Sequence, residues 1–137
     1  MALLGFDYGR RRIGIALGHP LTGQARALIT VQPGRPSLWP SISALVSEWN
    51  PSAFVVGWPT QADGQPTVLA PALRAFAAEL ESRYQRPVYW ANEYLTSHLG
   101  QERMQQQRKR RNPGLDAHAA ALILEGWLLE NPAHDRA

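Results

Sequence analysis

The sequence predicts a mixed α/β domain whose five-stranded sheet carries helices on both faces. Two apolar segments near the start pair as a hairpin, later strands alternate with helical segments, and 137 residues suit one domain. Leu3 to Tyr8 and Ile13 to Leu17 are the hairpin strands, separated by Gly9-Arg10-Arg11-Arg12. After a turn at Pro20 to Gly23, Ala27 to Val31 supplies a third strand. Leu38, Ile42, Leu45, Val46 and Trp49 then recur at helical spacing, which makes Ser37 to Trp49 an amphipathic helix ending at Asn50-Pro51. Ala53 to Gly57 is an apolar run too short for a helix and fits a strand buried on both faces. Trp58 to Pro66 reads as a loop.

Val68 to Tyr84 carries Leu69, Leu73, Phe76, Ala77 and Leu80 on one side, a helix that places Pro71 in its first turn. Val88 to Ala91 is the last strand. Thr96 is suited to cap a polar helix ending near Gln107, and Leu115 to Leu129 reads as a strongly apolar helix. Residues 1–131 thus form the expected domain and 132–137 a tail. Parallel strands joined through helices need cover on both faces, while the opening hairpins make the sheet mixed.

Cysteine is absent, which excludes thiol nucleophiles, zinc-thiolate centres and disulfide scaffolds. Met1 to Asp7 meets a charge too early for the apolar core of a secretory signal. No apolar run approaches the roughly 20 residues of a membrane helix. The expectation is a cytoplasmic protein with no membrane partner. Net charge is +3, and Lys109 is the only lysine among 14 basic residues. Arg10, Arg11, Arg12 and Arg108, Lys109, Arg110, Arg111 account for half of them. Guanidinium groups suit bidentate contacts to phosphate, so these two runs are candidate nucleic-acid-binding segments; solvated turns are the plainer alternative.

Three acids carry the candidate chemistry. Asp7 lies near the end of an apolar strand in Gly5-Phe6-Asp7-Tyr8-Gly9, where a buried carboxylate needs a partner or a cation. An Asp-x-Gly turn between paired strands is used by RNase H-like nucleases to hold metal and by two-domain ATPases to face phosphate. One domain of this length excludes the ATPase arrangement. Glu93 falls just beyond the strand at Val88, where ligand-binding residues collect in such sheets. Asp116 stands at the start of an apolar helix after Asn112-Pro113-Gly114. Taken singly, each has an ordinary structural explanation: a turn acid, a helix-dipole acid and an N-cap.

Taken together they form a set. Gly5-Phe6-Asp7-Tyr8-Gly9 with Arg12-Ile13-Gly14, Val55-Val56-Gly57-Trp58-Pro59 with Asp63-Gly64, Glu93 with Leu95-Thr96-Ser97, and Asp116 with Ala119-Ala120 occur in that order. In these blocks the chain resembles the YqgF family, also called RuvX, of Holliday-junction-resolvase-like pre-16S rRNA nucleases. The resemblance implies an RNase H-like fold in which Asp7, Glu93 and Asp116 are the catalytic and metal-binding residues. It further implies two Mg²⁺ or Mn²⁺ ions as cofactors and cleavage of RNA, in ribosomal RNA precursor processing. Two ions roughly 4 Å apart can polarise both the attacking water and the departing oxygen of a phosphodiester.

Branched DNA is the alternative substrate, and a non-catalytic nucleic-acid-binding module is the alternative outside enzymes. The protein is expected as a monomer or, since junction resolution pairs two cuts, a homodimer. Trp39 and Trp49 are candidate anchors for such an interface, though tryptophans at helical spacing are more often core. Asn92-Glu93-Tyr94 stands where the family usually has Asp-Glu-Arg, replacing an acidic ligand by a neutral oxygen. His118 lies about 200° around a helix from Asp116 and, like His19 and His98, is not a favoured ligand.

Overall fold

The computed structural model describes residues 2–58, 69–92 and 115–131, with Asn92, Leu115 and Asp116 placed by their backbone. Five strands are built in chain order: β1 (Leu3–Tyr8), β2 (Ile13–His19), β3 (Gln24–Val31), β4 (Ala53–Trp58) and β5 (Val88–Asn92). They lie side by side as β3-β2-β1-β4-β5. The hairpin connections make β1, β2 and β3 antiparallel, whereas β1, β4 and β5 are parallel, as their helical crossovers require. Those crossovers begin with α1 (Leu38–Trp49) and α2 (Ala70–Tyr84), and α3 (Leu115–Glu130) follows the last strand.

Local chemistry sets the ends of these elements. Asn50 adopts a left-handed conformation, φ 45°, and its N–H donates to the Val46 carbonyl, closing α1 before Pro51. Gln85 closes α2 the same way at φ 56°. Pro71 sits in the first turn of α2, where its missing N–H has no carbonyl to serve. At the β2–β3 turn, Gly23 has φ 71° and donates to the His19 carbonyl at 2.9 Å. Pairing therefore resumes at once, with Gln24 opposite His19, and β3 begins three residues earlier than the run of apolar residues from Ala27 suggests. Trp58 completes β4 rather than opening a loop. The predicted helix from Thr96 to Gln107 lies outside the described residues.

Alternation along the strands gives the sheet two unlike faces. Leu4, Phe6, Ile13, Ile15, Leu17, Phe54 and Val56 pack with α1 and α2 residues such as Ile42, Leu45, Leu73, Phe76 and Leu80. Phe76 takes the Phe6 ring edge-on at 5.4 Å between centroids and stacks against Trp39 at 5.6 Å. Trp39 and Trp49 are half-buried against this core. The opposite face presents Leu3, Ala16, Ala53, Val55 and Ala91 to α3, which answers with Ala120, Ala121, Ile123, Leu124, Trp127 and Leu128. Small side chains there let a helix rich in alanine approach the sheet closely. A Cβ on Gly5 would lie 3.0 Å from the Leu124 Cβ, and one on Gly18 2.6 Å from the Leu124 Cδ2.

Candidate active site

Asp7 is the last residue but one of β1, half-buried, and by alternation from Leu3 and Gly5 it belongs to the face that α3 covers. Its cross-strand neighbour on β2 is Gly14. On the other side the β1–β4 register ends with Phe6 opposite Val56, so the next residue along β4 is Gly57. The carboxylate thus stands between two strands that offer hydrogens in place of side chains. Gly9 tightens the turn that follows: its N–H donates to the Arg12 carbonyl at 2.9 Å, and a Cβ would stand 3.0 Å from the same oxygen. The Asp-x-Gly spacing is a consequence of that close approach.

The direction of α3 follows from its contacts. Gly18, opposite Leu3, is approached by Leu124 and Leu128. Gly5, two residues further along β1, is approached by Leu124 and the Ala120 carbonyl. Earlier helix residues therefore meet later strand residues, and α3 runs against β1. One turn back from Ala120, roughly 6 Å, is Asp116; two residues on from Gly5, about 7 Å, is Asp7. The first turn of α3 and the carboxyl end of β1 accordingly share one end of the sheet.

β5 ends at that same end, because Gly57 pairs with Ala91 and Trp58 with Asn92. Glu93 follows directly in sequence but lies outside the described residues, as do Arg108, Lys109, Arg110 and Arg111. Arg10, Arg11 and Arg12 are exposed in the turn just past Asp7. His19 is exposed and His118 half-buried. Among the described residues, no three His, Asp or Glu side chains come together as a metal site, and no helix is long and apolar enough to cross a membrane. Sequence alone did not single out Gly14 and Gly57 as the residues next to Asp7, although they belong to Arg12-Ile13-Gly14 and Val55-Val56-Gly57-Trp58-Pro59. It also passed over Trp90, which meets Trp58 diagonally across the β4–β5 pair.

A three-antiparallel, two-parallel sheet of order β3-β2-β1-β4-β5, with an acid at the carboxyl end of its central strand, is the RNase H-like fold of resolvase-type nucleases. The structure is similar to "T. thermophilus RuvC in complex with Holliday junction substrate", with a TM-score of 0.58 and 20% identity over 96% of this chain and 97% of that one. It is also similar to the fowlpox virus Holliday junction resolvase, with a TM-score of 0.54 and 14% identity over 96% and 99% of the two chains. At such identities the likeness concerns the fold.

The sequence comparisons go further. The family model "RuvX: Holliday junction resolvase" matches residues 1–130, and the chain belongs to that family. Relatives named "Putative pre-16S rRNA nuclease" include one from Azotobacter vinelandii, 47% identical over 96% of this chain and 95% of its own length. Another, from Pseudomonas aeruginosa, is 45% identical over 95% and 93%.

Proposed function

We propose that this protein is a divalent-metal-dependent nuclease that cuts RNA in ribosomal RNA precursor processing, through a site made by Asp7, Glu93 and Asp116. The observation that carries the proposal is the convergence of β1, β5 and the start of α3 at one end of the sheet, with Asp7 flanked by glycines there. Relatives sharing nearly half their residues over nearly the whole chain bear the name of a pre-16S rRNA nuclease, which supports the substrate.

The donor set fits hard cations, since carboxylate oxygens suit Mg²⁺ and Mn²⁺ and the chain has no cysteine to recruit softer metals. A pair of such ions, when bound, supplies charge neutralisation and an acidified water. What the chain itself does is hold carboxylates rigidly. Asp7 rides on the central strand, paired with β2 through Gly14, just past the point where pairing with β4 ends. The exposure of Arg10 and Arg11 in the adjacent turn supports their taking phosphates of the strand on either side of the cut. Residues 1–131 act as one domain in this reading, with 132–137 a tail.

Four-way DNA is the second substrate to be weighed, because the family description names a Holliday junction resolvase. A homodimer belongs to that reading, a monomer to simple RNA cleavage.

Asp7→Asn tests the site. The replacement keeps volume and one oxygen while removing charge, so the fold should persist, Mn²⁺ should no longer raise the melting temperature, and cleavage should fall by orders of magnitude. Nucleic-acid binding should survive. Full cleavage by folded Asp7→Asn sinks the metal mechanism; tight binding without cleavage by the wild type on single-stranded RNA, duplex RNA and a four-way junction points to a binding module.

A further inference from the structure

Trp58 and Trp90 sit near the carboxyl ends of the two outermost parallel strands, on the face that carries α1 and α2. Trp90 is paired with Val56 and Trp58 with Asn92, so the two indoles are diagonal neighbours. Their rings meet edge to face, with centroids 5.1 Å apart at 87°. From α2, Arg74 lays its guanidinium 5.4 Å from the centre of the Trp58 ring. Trp58 leans on the aromatic core, whereas Trp90 remains 41% exposed. Among the described residues Arg74 has no carboxylate partner, unlike Arg83, which is paired with Glu79 at 3.0 Å.

We infer that Trp90, backed by Trp58 and flanked by Arg74, is a platform on which an unpaired nucleotide of the substrate stacks, across the carboxyl edge of the sheet from the cleavage site. The inference rests on the nuclease reading and adds a preference for single-stranded segments. Three features favour a nucleobase over other occupants. An indole fixed by an edge-on neighbour presents a rigid π face at little further cost in conformational freedom. Arg74 offers donors to the phosphate of the same nucleotide while its plane stays engaged with Trp58. The platform is within reach of the same substrate strand: Trp90 is abreast of Val56 and Val56 of Phe6, so two strand spacings, about 10 Å, separate its backbone from β1, and because Trp90 and Asp7 project from opposite faces the strand would pass over the carboxyl edge of the sheet between them.

A strand crossing the carboxyl ends of the sheet would pass from the acids to the indole. Bases within a duplex already stack on their neighbours, so only an unpaired one has a face to give.

The test measures binding in metal-free buffer by fluorescence anisotropy, with single-stranded RNA, duplex RNA and a fully paired four-way DNA junction. Trp90→Ala should weaken single-stranded binding on the order of tenfold, and leave the other two nearly unchanged. Trp90→Phe should recover most of the loss, and Trp90→Leu, which keeps apolar bulk without a π face, should not. Thermal melts should show all three variants folded, with no more than the modest loss expected from giving up the edge-on contact with Trp58.

Equal losses on all three substrates, unchanged single-stranded binding, or rescue by Leu as good as by Phe would overturn the platform. So would sedimentation showing a wild-type dimer that Trp90→Ala dissociates. The two readings fail separately. Trp90-dependent binding with no cleavage by the wild type removes the nuclease and keeps the platform, while cleavage whose KM on single-stranded RNA ignores Trp90→Ala does the reverse.

Discussion

Asp7 shows how a single residue's meaning changes once its neighbours are known. In the sequence it is an acid in an apolar run, compatible with a turn. On the sheet it is a half-buried carboxylate near the end of the central strand, opposite Gly14 of β2 and one residue past the last β1–β4 pair, beyond which β4 continues with Gly57. Burying such a group is unfavourable without charge compensation. At the far side of the site stands Asn92, where the family's usual residue is an acid. A neutral amide oxygen attracts a cation less than a carboxylate, so Asn92→Asp should tighten Mn²⁺ binding by roughly 10- to 100-fold, the scale on which changes around a metal site act. Titration calorimetry on wild type and variant checks this, and equal or weaker affinity would show that the position does not address the ions.

The elements were legible in the sequence where they carry a strong period, and less so where a turn decides. Leu38 to Trp49 and Leu115 to Glu130 came out within a residue or so, because their apolar spacing is regular and Pro51 or Pro113-Gly114 marks an end. β3 was short by three residues, since Gln24, Ala25 and Arg26 pair through backbone groups and give no apolar signal. The close seat of α3 could not be read at all. It depends on which glycines share a face, and that follows from register rather than composition. Gly5 tests the seat. A methyl group there meets the Leu124 Cβ at 3.0 Å and the Ala120 carbonyl at 3.4 Å, neither of which can rotate away. Gly5→Ala should therefore cost about 1–3 kcal/mol in urea unfolding and push the first turn of α3 off the sheet. Cleavage should fall further than the fraction of folded protein accounts for. Gly18→Ala would overlap the buried Leu124 side chain at Cδ2 and Cγ, 2.6 and 2.8 Å, and should also destabilise the fold, but it lies at the far end of α3 from Asp116 and should spare activity relative to folded fraction.

On the scale of the molecule, chemistry and affinity are expected to reside in different residues. In the proposed reading carboxylates gather at one end of the sheet, and a negative site repels the phosphates it would cut. Basic residues would then offset that repulsion from outside the proposed acidic cluster. Arg10 and Arg11 are exposed in the turn just beyond Asp7, and net charge of +3 with seven cations in two runs gives the chain an uneven positive field. The run Arg108 to Arg111 was recognisable in the sequence as a charge cluster, but its placement depends on residues outside those described. Salt dependence separates the two runs. Each phosphate contact on a single strand releases counterions worth about 0.7 in the slope of log K against log salt. Arg10→Ala with Arg11→Ala should lower that slope by about 1.4 if both touch phosphate, and replacement of Arg108, Lys109, Arg110 and Arg111 by Ala by up to about 2.8. Saturated turnover should be nearly unchanged in both variants, because contacts made equally in ground and transition states alter affinity alone. An unchanged slope for either set would place that run away from the substrate. A drop in saturated turnover for Arg10 and Arg11 would instead mean that the turn beyond Asp7 stabilises charge developing at the cut itself.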